Sequence, residues 1–123
     1  MPVQYRFDEK ILVIEMSGTY SIDELRSTIS SAFKDPARPE DAVLLLDLSA
    51  SQSFHERSSE SVSNVARFVA SFGQKFNNRL AIVAPDDLKF GLARMGSATT
   101  DNLDIRAEIF RDPAKARAWL LKA

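Results

Sequence analysis

Between residues 42 and 63 the pattern of hydrophobic and polar positions changes abruptly. A near-continuous apolar run over 42–48, interrupted only by Asp47, is followed by a serine-rich stretch over 49–59. An apolar run without alternation predicts a strand that is buried on both faces. The hydroxyl-rich stretch then enters a helix. In α/β proteins the carboxyl end of such a central strand is a common place for a binding site.

Short apolar runs at five places predict the β-strands of this chain. They cover residues 3–7, 10–16, 43–48, 79–84 and 105–110. Asp8 and Glu9 separate the first two runs, so we expect these strands to pair as an antiparallel hairpin. Gly18 ends the second run and can adopt backbone conformations that other residues resist.

The first and last of four predicted helices have clear start signals. Ser21 and Glu24 form a Ser-x-x-Glu capping box at the start of the first helix, which ends before Pro36. Asp112 provides an N-cap for the last helix, and Pro113 occupies its first position.

The second and third helices are defined mainly by apolar residues at helical spacing. The second helix is predicted from about 57 to 76. Asn77 and Asn78 follow it and tolerate the left-handed conformation of a C-cap. The third helix is predicted to begin at Asp86 or Asp87, immediately after the fourth strand.

The resulting order, β-β-α-β-α-β-α-β-α, predicts an α/β fold with one mostly parallel five-stranded sheet. The amino-terminal strand is expected to be an antiparallel edge strand. The chain has 123 residues and is 45% hydrophobic, which suits a single domain over residues 1–123.

Four stretches carry a family resemblance in the same order as the predicted elements. They are Leu45-Leu46-Asp47-Leu48-Ser49, Leu80-Ala81-Ile82-Val83-Ala84, Phe90-Gly91-Leu92-Ala93-Arg94-Met95, and Ile109-Phe110-Arg111-Asp112 with the following Ala116 and Ala118-Trp119-Leu120. Together they resemble the SpoIIAA-like branch of STAS domains, which occur in sulphate transporters and anti-sigma-factor antagonists. The resemblance implies a (βα) superhelix fold, which CRAL-TRIO lipid-binding domains also resemble. Members of this branch are mostly small bacterial proteins without an assigned activity.

The resemblance also implies a candidate phosphorylation switch. Phosphorylatable STAS antagonists carry an Asp-Ser-Ser-Gly-like sequence at the start of the second helix, and phosphorylation there blocks docking on a kinase. The corresponding region here is His55-Glu56-Arg57-Ser58-Ser59-Glu60, which lacks the preceding aspartate and the following glycine. The paired serines of that pattern are present as Ser58 and Ser59, which makes them candidate phosphoacceptors. The alternative is that Ser53, Ser58 or Ser59 only caps the helix.

A candidate surface for a protein partner or ligand surrounds this helix entry. Its residues are Asp47, Ser49, Ser51, Ser53, Phe54, His55, Arg57, Phe90 and Arg94. Asp47 has two interpretations, because its charge lies within an apolar run. It either accepts backbone N–H bonds from the following segment or contacts a ligand at the end of the strand. We favour the structural role.

Several function classes lack support in the sequence. His55 is the only histidine, and no Gly-x-Ser-x-Gly elbow or metal-ligand spacing accompanies it. The chain has no cysteine, and its four glycines form no phosphate-binding loop. Sixteen basic and 17 acidic residues balance each other, which disfavours nucleic acid as a partner. We therefore expect no catalytic residue, no metal and no cofactor.

The leading prediction is a small, non-enzymatic bacterial STAS-like module for protein–protein interaction or regulation. The alternative is a domain of CRAL-TRIO-like fold that binds a small apolar ligand or lipid in a cavity near the carboxyl ends of the strands. Without an amino-terminal apolar segment or a run long enough to cross a bilayer, we expect a cytoplasmic protein with no transmembrane segment. A homodimer through an edge strand or an exposed helix is a further expectation.

Overall fold

The centre of the fold is a sheet of five strands that lie in the order β1-β2-β3-β4-β5. In this computed structural model, residues 3–51, 59–87, 90–91, 93–94 and 105–122 are described, with the side chains of 51 and 59–63 excepted. The strands are β1 (Val3–Asp8), β2 (Ile11–Gly18), β3 (Val43–Ser51), β4 (Arg79–Val83) and β5 (Arg106–Phe110). β1 is antiparallel to β2, and the other neighbours are parallel. The predicted sheet is confirmed.

The β1–β2 hairpin turns one residue later than predicted. Asp8 pairs with Ile11, so the connecting residues are Glu9 and Lys10 rather than Asp8 and Glu9. Glu9 has a φ of 55°, a left-handed conformation that lets two residues reverse the chain. At the other end of β2, Gly18 has a φ of 60°, as its position predicts.

Three α-helices have continuous described backbone. They are α1 (Ile22–Lys34), α2 (Ser59–Ala70) and α3 (Pro113–Leu121). The predicted caps are present: the Glu24 backbone N–H donates to the Ser21 hydroxyl at 3.1 Å, and the Ala114 backbone N–H donates to Asp112 Oδ1 at 2.9 Å. Helical backbone also occurs at 87, 90–91 and 93–94, where the third predicted helix lies.

The predicted second helix is wrong in its carboxyl-terminal part. α2 ends at Ala70, and a separate 3₁₀ turn covers Gly73–Phe76. The chain folds back closely after this turn, because the Asn78 N–H donates to the Gly73 carbonyl at 2.8 Å. A Cβ at position 73 would collide with the Asn78 side-chain oxygen. Asn77 and Asn78 are left-handed, with φ of 56° and 54°, as predicted.

The two faces of the sheet are covered by different helices. We call them the α1/α2 face and the α3 face. Leu12, Ile14, Leu44, Leu80 and Ile82 lie on the α1/α2 face and form the larger core with apolar residues of those helices. Ile11, Val13, Val43, Leu45, Ala81 and Val83 lie on the α3 face and pack with Ala116 and Leu120. β3 is thus buried on both sides, which confirms the prediction from its unbroken apolar run.

Aromatic rings fill the α1/α2 face where the two helices meet. Phe33 of α1 is fully buried, and its ring stacks on Phe72 at 4.7 Å and on Phe76 at 5.8 Å between centroids. Phe68 of α2 meets Phe72 edge-on at 5.4 Å. These contacts join α1, α2 and the 3₁₀ turn and hold the helix layer against the strands.

Candidate functional site

β3 extends further at its carboxyl end than predicted. The strand was expected to end at Leu48 but continues to Ser51, with Ala50 and Ser51 still in register with β2. The register shifts between Glu15 and Ser17, because β3 advances three residues, from Asp47 to Ala50, while β2 advances two; β3 therefore carries the extra residue of a bulge. Ser49 and Ala50 are therefore exposed strand residues instead of turn residues.

Asp47 has the structural role that the sequence favours. Its Oδ1 accepts the backbone N–H of Ser49 at 2.9 Å, which satisfies the carboxylate locally. Asp47 is half-buried on the α3 face, directly opposite Glu15 of β2. Glu15 is itself bound by Arg6 at 2.8 Å across the hairpin. The described contacts of Asp47 give no separate support for a ligand contact.

A cluster of Asp87, Phe90 and Arg111 lies at the carboxyl ends of β4 and β5. We call it the Arg111 cluster. The Arg111 guanidinium carbon lies 4.6 Å from the centroid of the Phe90 ring, and Nη1 lies 2.7 Å from Asp87 Oδ1. Nη1 also donates to the carbonyl of Pro85 at 3.4 Å. The Arg111 side chain remains 50% exposed while three groups hold it in place.

Arg94 lies four residues after Phe90 on helical backbone, so both residues lie on one side of that segment. Phe90 is half-buried and packs on the larger core, whereas Arg94 is exposed. The structure thus places one predicted surface residue, Phe90, against one that the sequence reasoning missed, Arg111. Its position directly after a parallel strand was the available signal.

The rest of the predicted surface lies outside the described residues. This applies to Ser53, Phe54, His55, Arg57 and the candidate phosphoacceptor Ser58. The backbones of Ser51 and Ser59 are described, and Ser59 is the first described residue of α2. Phosphorylation at Ser58 or Ser59 stays a prediction.

Perturbed titratable groups occur away from the Arg111 cluster. The Ala37 backbone N–H and then the Tyr5 hydroxyl lower the pKa of Asp35 by hydrogen bonding to its carboxylate, and the bond to Asp35 in turn raises the pKa of Tyr5. Arg117 lowers the pKa of Asp8 in the same way. These pairs join structural elements at the hairpin and the end of α1. Within the described ranges, no group of three or more His, Cys, Asp or Glu residues could hold a metal ion.

An open pocket of about 430 Å³ lies near the amino ends of the parallel strands, beside the segment that precedes β4. Its lining is largely polar and includes Ala70, Ser71, Phe72, Gly73, Gln74, Lys75 and Asn78. The ligand-binding alternative requires an apolar cavity near the carboxyl ends of the strands. This pocket is not apolar, and it lies near the amino ends of the strands. The cavity therefore stays a prediction.

Comparisons with known proteins support the fold. No protein-family model matches this sequence, and no curated protein sequence matches it. In structure, the chain is similar to an uncharacterised protein of the DUF3478 family with a SpoIIAA-like fold from Shewanella loihica PV-4. The TM-score is 0.61, with 16% sequence identity over 96% of this chain and 91% of that chain. The chain therefore has the SpoIIAA-like α/β fold that its sequence predicts. None of the described helices is long and apolar enough to cross a membrane.

Proposed function

We propose that this chain is a non-enzymatic interaction module that binds a protein partner at the carboxyl ends of its parallel strands. The observation that carries this proposal is the Arg111 cluster, in which a half-exposed guanidinium is held over an aromatic ring. Arginine and aromatic side chains are enriched among residues that dominate the energy of protein interfaces. Ser49 and Ala50, the exposed end of β3, lie at the same edge of the sheet.

Preorganisation makes this cluster suited to binding. An arginine free in solvent loses rotamer entropy when a partner immobilises it. Arg111 already contacts Asp87, the Phe90 ring and the Pro85 carbonyl, so part of that loss occurs on folding. Its remaining exposed N–H groups are available to an acceptor on a partner. A planar guanidinium particularly suits a carboxylate.

The fold supports the same proposal. SpoIIAA-like domains serve as interaction modules, and the STAS antagonists that the sequence resembles dock on a protein kinase at the start of the second helix. In this chain that region follows β3, whose exposed end lies at the same edge as the Arg111 cluster. We propose that one partner contacts both.

The proposal is tested by affinity capture from a lysate of the source organism. We expect the double variant Phe90→Ala, Arg111→Ala to retain about tenfold less partner than the natural chain, because it removes both interface side chains. The matched control is Lys115→Ala, an exposed residue of α3. Equal capture by all three proteins would contradict the proposed surface, provided that circular dichroism shows equal folding.

Regulation by phosphorylation requires a separate variant. Phosphate adds about two negative charges at the start of the helix, and a Ser58→Asp, Ser59→Asp variant imitates part of that charge. If this region contacts the partner, the variant captures less of it. The corresponding Ser58→Ala, Ser59→Ala variant is expected to capture as much as the natural chain. Undiminished capture by the aspartate variant would count against a role for this helix entry.

A further inference from the structure

β5 is an edge strand with one hydrogen-bonded neighbour among the described strands, β4. The Arg106 N–H donates to the Asn78 carbonyl at 2.7 Å, and the Phe110 carbonyl accepts the Ala84 N–H at 2.8 Å. Backbone groups alternate in direction along a strand. Positions 106, 108 and 110 therefore bond to β4, whereas Ala107 and Ile109 direct their N–H and C=O groups outward, as does the C=O of Ile105 immediately before the strand.

The side chains of β5 separate into a charged set and an apolar set. Arg106 and Glu108 are exposed and lie on the α3 face. Ile105 is buried, and Ala107 and Ile109 are partly buried against the larger core. Residues 105–109 are Ile-Arg-Ala-Glu-Ile, with Ala107 at the centre. Isoleucine stands two positions before and two positions after Ala107. The residues directly before and after Ala107 have opposite charges. A second copy of the same strand, reversed, therefore presents the matching side chain at every position.

Antiparallel pairing of two such strands about Ala107 satisfies the outward backbone groups. Ala107 exchanges N–H···O bonds with Ala107 of the second copy, and Ile105 does so with Ile109, giving about six hydrogen bonds. Arg106 then lies opposite Glu108 of the second copy on the same face, and this pair occurs twice. Opposite charges in directly facing positions stabilise paired strands.

Neighbouring registers do not have this property. Moving the second strand by two residues still pairs outward backbone groups, but it places Arg106 opposite Arg106 or Glu108 opposite Glu108. Both arrangements face like charges, which is destabilising. A single register therefore satisfies backbone and side chains together, and it has the two-fold symmetry of an isologous dimer.

We propose that two copies of this chain associate through their β5 strands in this register, forming one continuous sheet. α3 does not run along the outer edge of β5, because it crosses the sheet towards the hairpin, where Arg117 binds Asp8. An edge strand is a general site for strand addition, and the charge pattern of β5 selects a second copy of itself. This proposal is independent of the Arg111 cluster.

Charge reversal tests the proposal by sedimentation velocity at about 1–100 µM protein, a range that detects micromolar association. We expect the natural chain to sediment as a dimer. Arg106→Glu and Glu108→Arg should each weaken the dimer by roughly tenfold or more, because each variant faces two like-charge pairs. An equimolar mixture of the two variants should restore dimers, since every facing pair is then complementary. The double variant carrying both substitutions should dimerise alone for the same reason.

Two control variants separate pairing from net charge. Lys115→Glu changes the net charge as Arg106→Glu does, and Glu40→Arg changes it as Glu108→Arg does, but both exposed positions lie outside β5. Both should remain dimeric. A monomeric natural chain across the whole range would overturn the proposal. So would single reversals that dimerise as well as their controls, or a mixture that stays monomeric.

Cysteine cross-linking tests the register itself, because the natural chain has no cysteine. A mixture of Arg106→Cys and Glu108→Cys chains should form a disulfide-linked dimer under mild oxidation, since facing Cβ atoms in such pairs suit a disulfide. Each variant alone should not. Cross-linking of Glu108→Cys alone would show the shifted register and overturn the proposed pairing.

Discussion

Arg117 binds Asp8 through two hydrogen bonds that join the last helix to the first hairpin. Arg117 Nε lies 2.8 Å from Asp8 Oδ2, and Nη2 lies 3.3 Å from Oδ1. Nη2 also approaches Glu9 Oε1 at 3.5 Å. The Arg117–Asp8 bonds span 109 positions of the sequence and join α3 to the hairpin at the far side of the sheet from β5.

This pair predicts a loss of stability in acid. Hydrogen bonding from Arg117 lowers the pKa of Asp8 in the folded chain. Its contribution is therefore complete above the unfolded pKa of about 3.9, and it is lost as the pH falls through the folded value. We expect Asp8→Asn to lower the melting temperature slightly at pH 7. As the pH falls through the lowered pKa of folded Asp8, the natural chain and the variant should converge, as measured by thermal unfolding followed by circular dichroism.

The convergence has a matched control. Asp23 lies exposed in the first turn of α1. An Asp23→Asn variant leaves the contact between Arg117 and Asp8 intact. Its melting temperature should therefore fall in acid as that of the natural chain does, whereas the melting temperature of Asp8→Asn should fall less. A constant difference between the natural chain and Asp8→Asn from pH 7 to pH 2 would refute the assigned cause.

Phe33 is the side chain whose loss we expect to cost most. It is 1% exposed and stacks on two further rings, so truncation leaves a cavity between α1 and the 3₁₀ turn. Phe33→Ala should lower the free energy of unfolding by about 3–5 kcal/mol. Urea denaturation measures this loss. Lys34→Ala, at the exposed neighbouring position, should change it by less than about 0.5 kcal/mol. Equal effects of the two variants would contradict the described packing.

Gly18 and Gly91 predict opposite effects of the same substitution. A Cβ would meet no atom within 4 Å at either position, so steric crowding does not distinguish them. Gly18 has a φ of 60°, and Gly18→Ala should destabilise the chain by about 1–2 kcal/mol. Gly91 has helical backbone, and Gly91→Ala should stabilise it by up to about 1 kcal/mol. Chemical denaturation of both variants checks the sign, and equal signs would show that one backbone conformation is wrong.

The capping box at the start of α1 predicts a moderate effect. The Ser21 hydroxyl accepts the Glu24 N–H, and the Glu24 carboxylate approaches the Ser21 N–H. Ser21→Ala should lower the free energy of unfolding by about 1 kcal/mol, whereas Ser21→Asp should retain most of it. Hydrogen exchange at the Glu24 amide should accelerate in the alanine variant. An unchanged rate would argue against the cap.

Local signals in the sequence are sufficient for much of the fold. The Ser21 box, the Asp112-Pro113 start and the unbroken run of β3 each depend on residues a few positions apart. In the sheet, strands that are consecutive in sequence lie side by side, as is usual in α/β folds. These features needed no knowledge of distant contacts.

Features that depend on distant contacts were not predictable. α2 ends at Ala70, and the chain then turns so that the Asn78 N–H bonds to the Gly73 carbonyl, a contact that helical spacing cannot reveal. β3 continues to Ser51 through a bulge after Asp47, and its last residues pair with Ser17 and Gly18 of β2. Arg111 joins the candidate surface only through Phe90 and Asp87, which lie more than 20 positions earlier. Each depends on another element.

The position of α3 determines when this chain can finish folding. Strands β1 to β4 neighbour one another in sequence order, so they can pair progressively as the chain is synthesised. Among the described helices, only α3 packs on the apolar residues of its face, including Val43, Leu45 and Ala81. Until α3 leaves the ribosome, the apolar residues of this face have no described helix packed on them, and that side of the nascent sheet is exposed to water and to other chains. We expect aggregation to be most rapid during that interval.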